Sequence, residues 1–559
     1  NARYFDRSFL TNLSRQDWQK AATMLQQNLT DEAIDFAVKQ WPETIYQMTG
    51  EQTASILKSR RDHLKDYALE LYEHLAKAVD VVGTNKDELF QIESTSAGEL
   101  KVSVSKISKK GNIQLKIFER TFFANETNEI RLYGLDGEDH FDISGEANGK
   151  IKVRIISGEG KDEITETATK SGSNIVIYDS PNTEVKGSIK SKLSDNPKIH
   201  KYDRMSHKYD VLFPLLDAQY NKDDGVFIGG GFMFTKQGWR KQPFASKHKF
   251  TANFAFATNA FNIKYDGVFT DVVGKWDLGL VTDVRKPFFV NNFFGIGNNS
   301  IYDVDNREID YYRVRFENIL YRATLSTDLG AYGKFTIGPE YRGISLEEQS
   351  GGYLGDSDLN TPDLIDTNRK YPGLYTAVEV DTRDNKQLTT RGLYWNTELE
   401  LLEGGNDLSS DYQTARSSIS LFYSFKFPAK ATIGWRIGGE HNFSDLNSNE
   451  FYNAATLGGK ENLRGFRRTR FYGQTSLYNN IDLRIKLFDF RSYLFPGQFG
   501  ILGFHDIGRV WVDGENSSKW HDSAGGGIYV APLGQAVISF TMAFTDEENL
   551  PVVALGFFF

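Results

Sequence analysis

The 559 residues contain no cysteine, which excludes a disulfide framework and any thiolate metal site. No apolar run approaches the ~18 residues that would cross a bilayer as a helix, and the mean hydropathy is −0.46. Membrane helices are therefore excluded. Basic blocks are also missing: 65 Lys and Arg against 74 Asp and Glu leave a net charge of −9, which argues against a nucleic-acid partner. The nine histidines are scattered, with no pair at metal-ligand spacing on one element and no Gly-x-Ser-x-Gly elbow. This composition disfavours a soluble hydrolase, and no cofactor is expected. None of these absences touches a β-barrel, whose alternating strands hide their membrane signal from averaged hydropathy. The 50 glycines and the aromatic fraction of 14% lean that way. The chain opens at Asn1 with neither Met nor a signal peptide, as a mature form or a piece of something longer would.

Residues 1–82 read as a helical segment. Asp31–Val38 starts one short helix, and apolar positions Ile56, Leu64, Ala68, Leu71, Leu75 and Val79 recur at three- and four-residue steps in a longer one over about Glu51–Val79. From 83 to 201 the period turns towards two, as in Leu100–Val104 and Ile113–Ile117. There Ile130-Arg131-Leu132-Tyr133 and the following Gly137-Glu138-Asp139 are echoed 23 residues on by Val153-Arg154-Ile155-Ile156 and Gly160-Lys161-Asp162. Ile175–Tyr178 opens a degenerate third copy. Such a repeat predicts stacked strand rungs, a short β-solenoid or a related sandwich. Asp139 and Asp162 partly satisfy a calcium-binding nonapeptide, but calcium needs six to eight oxygens and only two imperfect copies exist, so plain glycine turns are the better reading. Residues 202–224, with Phe213-Pro214-Leu215-Leu216, read as a connector.

Residues 225–559 supply repeated runs of the roughly 9–11 residues that a membrane strand needs. Leu393, Trp395, Thr397, Leu399 and Leu401 alternate with Tyr394, Asn396, Glu398 and Glu400, and Ile481, Leu483 and Ile485 with Asp482, Arg484 and Lys486. Counting gives about 16 strands, with the fifth at 291–301, the sixth at 309–328 and the last at 551–559. Parity breaks between Phe316 and Ile319, which suggests a bulge. Connections after odd strands are often long and polar, as in Ser345–Lys370 and His441–Tyr472, and those after even strands tight, as in Pro428-Ala429. That asymmetry puts both ends of the barrel in the periplasm. The expected class is all-β: an antiparallel transmembrane β-barrel behind a small β-rich periplasmic domain and a helical segment.

One polar connection, between the eleventh and twelfth runs, holds Leu457-Gly458-Gly459-Lys460-Glu461-Asn462-Leu463-Arg464-Gly465-Phe466. Its "GG…LRGF" resembles the signature of the BamA/TamA superfamily of outer-membrane barrels, which also contains two-partner secretion transporters. The resemblance implies that this loop folds into the lumen and that Arg464 meets an acid on a later strand, here Asp506 in Gly503-Phe504-His505-Asp506-Ile507-Gly508. A lumenal charge persists only if paired, and a guanidinium can meet a carboxylate with two parallel hydrogen bonds. Asp381-Thr382-Arg383-Asp384-Asn385 with Arg391-Gly392 is similar to the family's "D-x-R-D-N…G" turn. Gly229, Gly230 and Gly231 on the first predicted strand, and Gly556 and Phe559 on the last, either make the closing seam the cheapest ladder to open or merely relieve crowding at closure; in the resembled family that seam is the gate.

The strand-helix-helix-strand-strand modules of the family's assembly factors find no counterpart in the first 200 residues. Glu51–Gly83 and Glu119–Phe141 instead resemble a Bacteroidota branch in which a calcineurin-like phosphoesterase precedes the barrel. The D-x-H and G-N-H-[DE] clusters of that enzyme do not occur here, so an enzyme is expected only upstream of Asn1. The expected role is insertion or translocation of protein, above all of an attached N-terminal domain. The alternatives are a membrane anchor for an upstream enzyme and a passive channel. Expected partners are outer-membrane lipid and other outer-membrane or periplasmic proteins.

Overall fold

The computed structural model describes residues 2–559 except 96–97, 146–149, 168–173, 222–224, 347–350, 357–367, 407–408, 427–428, 445–447, 494 and 535. The chain divides into two units, Asn1–His207 and Lys208–Phe559.

Unit 1 begins with helices α1 (Ala2–Phe9), α2 (Arg15–Asn28), α3 (Asp31–Lys39), α4 (Glu43–Asp62) and α5 (Leu64–Ala76). Ser14 caps α2 in a reciprocal box with Asp17, and Thr30 caps α3. The long helix expected over Glu51–Val79 is two helices. His63 leaves helical geometry at φ −96°, ψ 4° and breaks it, and Val79 already lies in a strand.

That strand is β1 (Ala78–Val82), so the β-rich part starts inside the segment expected to be helical. It continues with β2 (Glu88–Ser94), β3 (Glu99–Ile107), β4 (Ile113–Phe123), β5 (Glu129–Tyr133), β6 (His140–Gly145), β7 (Lys152–Ile156), β8 (Glu163–Glu166), β9 (Ile175–Asp179), β10 (Glu184–Lys186) and β11 (Lys190–Leu193). Two sheets result, in the orders β1-β5-β7-β9-β11 and β10-β8-β6-β2-β3-β4. Each sequence repeat sends one strand to each sheet, and equivalent residues stack in parallel register: Ile130 on Val153, Val153 on Ile175. Ile130, Leu132, Ile155, Ile177, Phe90 and Phe141 fill the core between the sheets. The rungs form a short solenoid because a strand pair of this length cannot bury its apolar face alone.

Unit 2 is a meander of 16 antiparallel strands: β12 (Val211–Asn221), β13 (Gly225–Lys236), β14 (Ser246–Ala255), β15 (Phe261–Val273), β16 (Trp276–Asn292), β17 (Arg313–Leu329), β18 (Gly333–Leu346), β19 (Arg369–Asp381), β20 (Gly392–Leu402), β21 (Tyr412–Lys426), β22 (Lys430–Asn442), β25 (Thr475–Arg491), β26 (Pro496–Trp511), β27 (His521–Pro532), β28 (Ile538–Phe544) and β29 (Asn549–Leu555). A short hairpin, β23 (Ala455–Leu457) with β24 (Phe471–Gly473), stands between β22 and β25. Alternation sorts the two faces: Ile481 and Leu483 point outward, while Asp482 and Arg484 are buried inside. A polar interior behind an apolar exterior is a barrel wall.

The count of 16 agrees with expectation through two compensating differences. The first strand is β12, within the segment read as a connector. Pro214 argues against a central strand, but β12 is an edge, where a missing N–H is tolerated. No strand forms at 291–301. Instead β16 runs on to Asn292 through a register shift between Arg285 and Phe289, opposite the Phe316–Ile319 parity break, and Phe293 and Phe294 then turn into the buried interior. Pro428 and most of the loop after β18 lie outside the described residues.

Candidate functional site in the lumen and at the seam

The connection between β22 and β25 folds inward. Gly458, Gly459 and Gly465 have φ of +128°, +75° and +90°, a region that glycine enters without penalty. The turn closes on itself through Gly459 N to Phe466 O at 3.0 Å, Gly458 N to Asn462 Oδ1 at 2.9 Å and Asn462 Nδ2 to Thr456 O at 2.9 Å. Leu463 and Phe466 are buried with Leu457, Phe471 and Val510. At Gly465 the backbone presses on the wall, since a Cβ there would stand 2.7 Å from Thr545 Cγ2.

This packing holds Arg464 at Asp506. Arg464 donates from Nε to Oδ2 at 2.7 Å, from Nη2 to Oδ1 at 2.6 Å and from its backbone N to Oδ2 at 3.0 Å. Nη2 also donates to Asp482 Oδ1 at 2.8 Å. The guanidinium is sandwiched between the rings of Phe504 and Phe558, at 3.8 and 4.0 Å. Asp482 in turn accepts from Arg484 at 3.0 Å.

Two further arginines hold the same loop. Arg467 grips Glu548 with two hydrogen bonds, and Arg470 grips Glu547 while donating to Ser300 O at 2.8 Å. The sequence reading missed both pairs. Its available signal was the three-residue spacing Arg464, Arg467, Arg470, matched by adjacent acids between β28 and β29. Above this loop, the Phe293 ring packs against Phe451 at 4.1 Å and edge-to-face on Tyr472 at 5.3 Å, and Ile296 bridges Tyr472. Two loops thus pack together inside the lumen.

The seam residues fall differently from expectation. Gly229, Gly230 and Gly231 lie on β13, the second strand, because β12 precedes it. The seam lies between β12 and β29, and among the described residues no ladder joins them. Gly556 and Phe559 lie beyond β29. Gly556, at φ +119°, turns the tail inward. Phe557 meets Tyr529 at 5.0 Å, Phe559 meets Phe422 at 6.0 Å, and Phe559 O accepts from Arg484 Nη2 at 2.8 Å. The aromatic end of the chain therefore packs against the arginine cluster rather than along the seam.

The calcium candidates sit in unit 1, facing its interior. Asp139 Oδ1 accepts from Glu88 N at 2.8 Å, and Asp162 Oδ1 accepts from Asp139 N at 2.9 Å, so each carboxyl caps the rung before it. The second oxygen of each is buried without a partner. Burial pushes their pKa up, to about 8 for Asp139 and about 7 for Asp162. Among the described residues, no group of three or more His, Asp or Glu is arranged to hold a metal ion.

The family model for the Omp85 superfamily domain matches residues 275–559, just over half of the chain. Similar solved structures include BamA from Haemophilus ducreyi lacking POTRA domains 1–3 (13% identity, TM-score 0.43, covering 62% of this chain and 70% of that one). CdiB from Acinetobacter baumannii (15%, 0.39, 62% and 59%) and CdiB from Escherichia coli (15%, 0.41, 62% and 61%) are also similar. The chain thus spans about three fifths of either CdiB chain. No curated protein matches.

Proposed function

We propose, for a chain that belongs to the Omp85 superfamily, that this outer-membrane barrel inserts or translocates protein by way of its β12–β29 seam, unit 1 starting on the periplasmic side. The observation that carries the reading is the combination of a lumen occupied by two packed loops with a seam that, among the described residues, has no ladder. A passive channel needs an open bore, and two loops occupy this one. An edge without a partner strand, by contrast, is a template for an incoming strand. The substrate that fits the chain's own architecture is its attached N-terminal unit. Unit 1 is a helical segment with a solenoid, which serves as a passenger or stalk more readily than as a module for capturing diverse clients.

The test uses the absence of cysteine. Pairs of cysteines, one on β12 and one on β29, are scanned for a disulfide that bridges the seam. In proteoliposomes the oxidised tether is expected to abolish insertion of an unfolded outer-membrane barrel, and in cells to abolish protease exposure of unit 1. Reductant restores both. Full activity in the tethered form refutes the reading and leaves the chain as a membrane anchor.

A further inference from the structure

At the end of the barrel that carries the short turns, the connection between β19 and β20 does more than reverse the chain. Asp384 accepts from the backbone N–H of Asn385, Thr390 and Arg391 at 2.9–3.2 Å, and Asn385 Oδ1 accepts from those of Gln387 and Leu388 at 2.8 and 2.9 Å. The Asp-x-Arg-Asp-Asn motif is therefore the scaffold of a rigid turn. That turn sends Leu388 into an apolar cluster with Leu502, Tyr529 and Phe557, on the opposite wall.

Beneath it lies a cavity of about 290 Å³, walled in part by Lys430, Arg484, Lys486, Thr432, Gln498 and Phe557, with no carboxylate among the described residues of its lining. Lys430 and Lys486 are directly opposed across β22 and β25, an arrangement that repels unless an anion lies between them. Lys486 has Asp489 at 2.7 Å, whereas Lys430 has no ion pair among the described residues. Arg484 is 3% exposed and its Nη1 has no hydrogen-bond partner among the described residues. The wider cluster has the same sign. Arg464 and Arg484 share Asp482, and Arg464 also holds Asp506, while Arg436 donates, among the described residues, to the uncharged Asn480 Oδ1 and Glu461 O. Arg484 also donates to Phe559 O at 2.8 Å, so the arginines have acceptors above the cavity, while Lys430 and Lys486 face its open side. Aromatic faces from Phe557, Phe558 and Phe559 lie over these cations at 4.0–5.5 Å, which screens a cation but does not neutralise it.

We infer that this cavity is a binding site for an oxyanion of the phosphate class. A guanidinium with one free buried edge, two opposed ammonium groups and the Gln498 amide, all lining one cavity, suit tetrahedral oxygens. The phosphate is either free or part of a lipid headgroup that arrives past Phe557, the second residue after β29. The periplasmic location of the site rests on the reading above, but its ligand does not.

The full chain, purified in a phosphate-free, non-ionic detergent, is melted with increasing inorganic phosphate against chloride at equal ionic strength. A saturable rise in Tm with phosphate alone is expected. Lys430→Gln and Lys486→Gln should each weaken the apparent affinity by about fivefold or more, because each removes one charge-assisted contact, while Lys249→Gln on β14 leaves it unchanged. Unboiled gel mobility confirms that each variant is folded. If only micelles doped with phosphatidylglycerol raise Tm, with the same lysine dependence, the ligand is a headgroup. No rise beyond chloride from either source, or unchanged affinity in both lysine variants, overturns the inference. Neither readout involves an inserted client, so its failure is separable from failure of the proposed function.

Discussion

Arg464 is worth more to the barrel than its neighbours because of what its removal strands. Asp506 is fully buried and takes three of its hydrogen bonds from Arg464. Truncation leaves that carboxylate without its counter-charge, at a cost of about 3–5 kcal/mol. Arg467→Ala should cost less, about 1–3 kcal/mol, since its partner Glu548 is 14% exposed and can rehydrate. Melting of the two variants in detergent checks the order, and the double variant Arg464→Ala/Asp506→Ala should melt well above the sum of the single losses. At the same scale, Asp139 and Asp162 tie the solenoid to pH. Their folded-state pKa values, about 8 and about 7, lie above the ordinary 3.8, so folding retains protons. The stabilisation is complete below pH ~4 and is lost as pH rises through 7 to 8. Hydrogen exchange of β6 and β8, corrected for intrinsic rates, should show less protection at pH 9 than at pH 5, and Asp139→Asn should flatten that difference.

Among the elements, the inward loop depends on closeness that only glycine permits. Gly465→Ala adds a methyl 2.7 Å from Thr545 Cγ2, at a φ of +90°. It should destabilise the loop by about 1–3 kcal/mol and raise its protease sensitivity without altering the strands. This element was also the most legible in the sequence, where a four-residue signature and one acid were enough to pair Arg464 with Asp506. Strands with strict alternation were equally readable, because a one-residue slip would turn every side chain to the wrong face. The errors have physical causes. Pro214 masked β12, since a proline's meaning depends on whether its strand is an edge, and edges are a tertiary property. The 291–301 run has strand composition, yet Phe293 and Phe294 found a deeper burial in the lumen than any lipid-facing position offers. The acids that hold Arg467 and Arg470 lie about 80 residues away in sequence, with no local pattern to link them.

On the scale of the whole molecule, the lumen packing predicts silence in a planar bilayer. The intact protein should show no stable open-channel conductance, and replacing residues 458–470 by a short glycine-serine linker should produce discrete steps. Steady conductance from the unaltered protein would mean that the two loops leave a continuous bore. The barrel should also run faster unboiled than boiled on a denaturing gel, as a detergent-resistant meander does.

Pro214 has one more effect. It pairs with Phe232 of β13, and since it cannot donate, its silent nitrogen must face away from β13, towards the open edge. Any strand that zips onto β12 therefore meets one mute rung near the start, where a carbonyl finds no proton. Losing about 0.5–1.5 kcal/mol there keeps a docked strand exchangeable and penalises registers that bring a buried acceptor to that rung. Pro214→Ala restores the missing donor and should turn a reversible clasp into a slower one, visible as lingering crosslinks between β12 and whatever strand it holds.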